Sequence, residues 1–136
     1  MTTTATATAP TGKVRMTAGE RAGIPPRRMD FEFSEDSKRY WYADNSFLTT
    51  FWTTLSSLFP EGETFFVDSV KNYRHEIKDQ LLKDQVSGFI GQEAMHSKEH
   101  AAFNDIAERH GLPANKLDKE LGLSLIHISE PTRLEP

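Results

Sequence analysis

The stretch between Asp79 and Gly111 restricts the fold most, because apolar residues recur there three and four positions apart with no proline among them. Asp79 suits a helix N-cap, and Gly111 with Pro113 supplies a stop, so one long helix through Arg109 is expected. At about 100° per residue, Leu82, Val86, Phe89, Glu93, His96, His100, Phe103 and Ala107 share a face. Three titratable side chains then lie in a core stripe. Burying a carboxylate and two imidazoles costs several kcal/mol unless each finds a partner, and a metal ion is the simplest common partner.

The preceding segments supply further helices. Phe47, Leu48, Phe51, Trp52, Leu55, Leu58 and Phe59 predict a helix over Asn45 to Phe59 with a broad buried face. Pro60 interrupts it and suits the first turn of a second helix, to about Ile77, whose positive start favours Glu61 and Glu63. Phe59, Glu63, Phe66, Val70 and Tyr73 form one stripe of that helix, which puts Glu63 in the core, while Glu61 turns away with Phe65 and Asp68. A short helix from Asn115 to Leu121 follows Pro113. Met29 to Phe33 alternates apolar and acidic residues, as a short strand along a helical body or a structured arm would.

At 136 residues, with 37% hydrophobic and 26% charged, the chain has material for one modest all-α domain. Its net charge of −4 comes from interspersed acidic and basic residues, so neither nucleic acid nor an anionic membrane is an expected partner. No run approaches the roughly 18 apolar residues of a membrane span. The Thr/Ala-rich start carries no secretory or transit signal, which makes a cytoplasmic location the default. Residues 1–23 are expected to be disordered and residues 24–122 to form the ordered domain. The sequence LSLIHISEPTR, Leu123 to Arg133, equals one reading frame of a transposase adapter used in sequencing libraries. Leu123 to Pro136 is therefore read as adapter read-through on a truncated gene, which removes His127 and Glu130 from functional argument.

Without cysteine, any metal must be held by imidazole and carboxylate. Glu93 with His96 is a helical Glu-x-x-His pair, the motif that joins a glutamate from a neighbouring helix in carboxylate-bridged di-iron and di-manganese bundles. Glu63 is placed to be that glutamate. A bridging carboxylate suits two hard cations about 3.5–4 Å apart. The same residues spell His96-x-x-Glu99-His100, the inverted zincin order, in which the histidines bind zinc and Glu99 activates water. That fit is poorer, since Glu99 lies about 100° from His100 around the helix. In a third reading His96 and His100 are core histidines hydrogen-bonded to Glu63, Glu93 or main-chain carbonyls. His75 and His110 lie near helix ends and receive no ligand role.

Three motifs in order, Pro26-Arg27-Arg28-Met29-Asp30-Phe31, Phe59-Pro60-Glu61-Gly62-Glu63 with Phe65-Phe66, and Phe89-Ile90-Gly91-Gln92-Glu93-Ala94-Met95-His96 followed by His100, resemble a bacterial family of predicted metal-dependent hydrolases with a ferritin-like helical body. The resemblance covers roughly Pro26 to Gly122. It implies a partial ferritin-like bundle, Glu63, Glu93, His96 and His100 as metal ligands, and members about twice this length. A pair of Fe or Mn ions is the expected cofactor, with Zn as the alternative. The expected activity is metal-dependent hydrolysis of a small molecule that the sequence does not identify, with Glu99 or a residue outside the chain as base. The other expectations are a di-iron oxidase or oxygenase that binds O₂, and a non-catalytic metal-binding bundle. One glutamate helix and one Glu-x-x-His helix make half of a dinuclear site, so a metal-linked homodimer is the expected way for this fragment to complete it.

Overall fold

The computed structural model describes residues 15–129, which form helices and connections without a strand. Several helix starts are set by identifiable groups. Asn45 caps α2 (Ser46–Ser56), its Oδ1 accepting from Leu48 N, and Asp79 caps α4 (Gln80–Arg109) through Leu82 N. Leu58 cannot cap α3 (Phe59–Tyr73), so Asp118 of α5 (Ala114–Ser129) accepts from Glu61 N at 3.0 Å instead. Gly111, at φ 76°, ends α4 and lets Leu112 N return to Ala107 O.

The spine is α4, and every other helix packs on it. Ala107, Leu112 and Ala114 form a small apolar cluster where α4 turns into α5. Helix α5 continues past the expected Leu121 to Ser129, and α3 stops at Tyr73, short of Ile77. No helix among the described residues is long and apolar enough to cross a membrane.

Two expectations are corrected. The first concerns α2, which turns Thr49, Thr53 and Ser56 inward and leaves Phe47 (73% exposed), Phe51, Trp52, Leu55 and Leu58 facing outward. The hydroxyls take up fixed donors: Tyr42 N donates to Thr49 Oγ1 and Trp41 Nε1 to Thr53 Oγ1. Small polar side chains that find partners let helices approach closely, so the apolar pattern misreports the inner face here. On α3 likewise Val67 is buried beside Glu63, while Phe66 and Tyr73 are exposed.

The second concerns the amino terminus. Expected disorder up to Val14 lies outside the described residues, but Ala18–Arg21 form the helical turn α1, closed by a Thr17–Glu20 capping box. Arg21 makes a two-pronged ion pair with Asp84 at 2.8 Å on both arms, and Gly19 lies against Gly88 of α4. A Cβ on Gly88 would come within 2.6 Å of the Ile24 carbonyl and 3.0 Å of Gly19 Cα. From there Ile24 to Phe33 runs along α4 as an extended arm without strand pairing, Asp30 at φ 48° breaking its alternation.

Gly88→Ala should therefore lower unfolding stability by about 1–3 kcal/mol in urea titrations, the usual cost of overpacking. Arg21 holds the Asp84 carboxyl below its ordinary 3.8. The resulting stabilisation is present above pH 3.8 and is lost as pH falls through the lowered folded value. Asp84→Asn should lower the melting temperature at pH 7 and flatten its fall on acidification, which a series of thermal melts would show.

Candidate metal centre

Glu63 comes from the second turn of α3, and Glu93 and His96 lie one turn apart on α4. Packing of α3 on α4 brings one ligand atom from each of Glu63, Glu93 and His96 within 4.8 Å of the others. Glu63 is 2% exposed, and burial pushes its carboxyl up, a shift opposed by the neighbouring His96 and reinforced by Glu93. His96 Nδ1 stands 2.5 Å from Glu63 Oε1, within hydrogen-bond distance, and Glu63 Oε2 has no hydrogen-bond partner among the described residues. A buried carboxylate with unused lone pairs, facing an imidazole nitrogen and a second carboxylate, is a donor set that fits a divalent cation.

His100 adjoins this group without being one of the three. Its Nε2 is 3.0 Å from His96 Nε2, and its Nδ1 is 2.7 Å from Ser56 Oγ. Phe59 stacks on the His100 ring at 4.3 Å between centroids and meets His96 edge-on. Burial, with the neighbouring His96, depresses His100 to about 4, so the ring is neutral at pH 7. Behind it Asn104 (1% exposed) bonds to Ser56. Ser56 and Asn104 are absent from the set that periodicity nominates. The available signal was Asn104 lying four residues after His100, on the same helix face.

Glu99 is buried, and both of its oxygens are engaged by the main chain. Its two oxygens accept from Asp30 N at 3.1 Å and Phe31 N at 3.0 Å, and Lys98 clamps Asp30 at 2.6 Å. The arm so held carries Phe31 and Phe33 to the wall of an open cleft of about 600 Å³, completed by Trp41, Tyr42, Trp52 and Phe103 and bordered by His96 and His100. His96 keeps 52% of its side-chain surface exposed, so the centre is reachable. Glu99→Ala strips two main-chain donors of a charged acceptor. The Asp30 and Phe31 amides should then exchange with deuterium at least tenfold faster while α4 amides change little, as expected for bonds worth roughly 1.5–3 kcal/mol.

No curated protein and no solved structure matches the chain. Over residues 25–134 the sequence matches one family model, and the chain belongs to that family, the predicted metal-dependent hydrolases.

Proposed function

We propose that Glu63, Glu93 and His96 hold a divalent metal ion, with His100 as a further ligand, and that the centre serves hydrolysis of a small molecule. The observation that carries this reading is the buried Glu63 carboxylate, one oxygen against the His96 imidazole and the other without a hydrogen-bond donor, gathered with Glu93 and His96 inside 4.8 Å. Family membership supports the hydrolytic assignment. When bound, the ion supplies Lewis acidity. The chain's own residues orient and enclose: Phe59 packs both imidazoles, and the exposed edge of His96 leaves a route for substrate. The aromatic cleft beside His96 and His100 favours a substrate with an apolar, ring-sized body.

Glu99 in this reading holds the arm that forms one wall of the cleft, because both of its oxygens are engaged by the main chain. That favours a carboxylate-rich centre of the Fe or Mn type over the inverted zincin arrangement, which needs Glu99 free to activate water. One glutamate helix with one Glu-x-x-His helix is half of a dinuclear set, and the second half would come from another copy of the chain. The outward aromatic face of α2, with Phe47, Phe51 and Leu55, gives such a pairing apolar surface to cover.

Metal analysis after equilibration with Fe(II), Mn(II) or Zn(II) tests the ligand set. The parent chain should retain metal, and His96→Ala or Glu63→Ala should lose it; retention by both variants would refute the assignment. Sedimentation with and without chelator tests the pairing. A dimer that chelator dissolves is expected, and a monomer in both conditions excludes it.

A further inference from the structure

The hydrogen bonds behind His100 can be assigned atom by atom. The Ser56 main-chain carbonyl can only accept, so the Asn104 atom facing it at 3.4 Å is the amide Nδ2, and Asn104 Oδ1 is turned toward Ser56 Oγ at 2.8 Å. An amide oxygen also only accepts, and therefore the single Ser56 hydroxyl proton is donated to Asn104. Ser56 Oγ is then left as an acceptor toward its other neighbour, His100 Nδ1 at 2.7 Å. All three groups sit at the α2–α4 contact, with Ser56 and Asn104 buried. The order runs from His100 Nδ1–H to Ser56 Oγ–H to Asn104 Oδ1.

We propose that Ser56 and Asn104 are positioning residues that fix His100 as its Nδ1–H tautomer and so present its Nε2 lone pair toward the metal centre. Nε2 is the atom that approaches His96, 3.0 Å from that ring's Nε2, so the aimed lone pair lies on the side of the Glu63, Glu93 and His96 group. A ligand imidazole is commonly fixed by a hydrogen bond at its other nitrogen, which sets both tautomer and ring orientation. Phe59, stacked on the ring at 4.3 Å, restricts its tilt but cannot select a tautomer, since a ring face offers neither N–H nor lone pair in the imidazole plane. This role rests on His100 being a ligand.

Two measurements separate the role from that premise. Long-range proton–nitrogen NMR on the metal-free chain should show His100 protonated at Nδ1, and Ser56→Ala and Asn104→Leu should lose that preference. Co(II) titration followed by visible absorption should show both variants binding 10–100-fold more weakly, with an altered ligand-field spectrum. Ser56→Thr, which keeps the hydroxyl, should restore the parent spectrum and affinity, and circular dichroism should match for all. His100 protonated at Nε2 in the parent overturns the tautomer assignment. Unchanged Co(II) affinity and spectrum in Ser56→Ala overturn the positioning role. A parent chain with the Nδ1–H tautomer but no Co(II) uptake overturns the metal premise and the aiming role, and leaves the tautomer assignment intact.

Discussion

The approach of Glu63 on α3 to His96 on α4 organises the rest of the molecule. A carboxylate that is almost fully enclosed, with one oxygen left without a donor among the described residues, is an expensive component of a helix interface. Its neighbours are the groups that could share a positive charge with it, an imidazole at 2.5 Å and the carboxylate of Glu93. Residues around this contact are best understood by how they hold it in place. Asp118 supplies the missing cap at the start of α3 and so fixes the turn from which Glu63 projects.

The α2–α4 contact shows why the inner face of a helix need not be its most apolar one. Thr49, Thr53 and Ser56 are small enough for close approach, and each has a hydrogen-bond partner that consumes its polarity. Ser56 connects this seam to the metal centre through His100. The larger apolar side chains of α2 are displaced outward, and among the described residues the buried apolar core reduces to Val67 and a cluster of Ala107, Leu112 and Ala114. With so little buried hydrocarbon, much of the fold's cohesion falls to directional contacts: the Arg21–Asp84 pair, the Glu99 bonds to the arm, and the caps.

The arm from Ile24 to Phe33 links the amino-terminal turn to the centre. Gly88 and Gly91 remove side chains from the α4 surface where Ile24 and Pro26 lie, and Glu99 takes hold of the arm one residue before His100. The helix that carries Glu93, His96 and His100 thereby also anchors a wall of the aromatic cleft that the two histidines border.

The sequence by itself determined the helices and their boundaries where local chemistry decides them, as with Asn45, Asp79 and Gly111, and it put Glu63, Glu93 and His96 on facing stripes because three- and four-residue spacing fixes helix faces. It could not say which stripe of α2 turns inward. That choice depends on whether each hydroxyl meets a donor or acceptor from a distant segment, and Trp41, Tyr42 and Asn104 provide those only after folding. Nor did it separate Glu99 from the histidines beside it, because helical position gives a direction but not a partner. Tertiary packing brought the main-chain N–H groups of Asp30 and Phe31 to that carboxylate from 69 and 68 residues away.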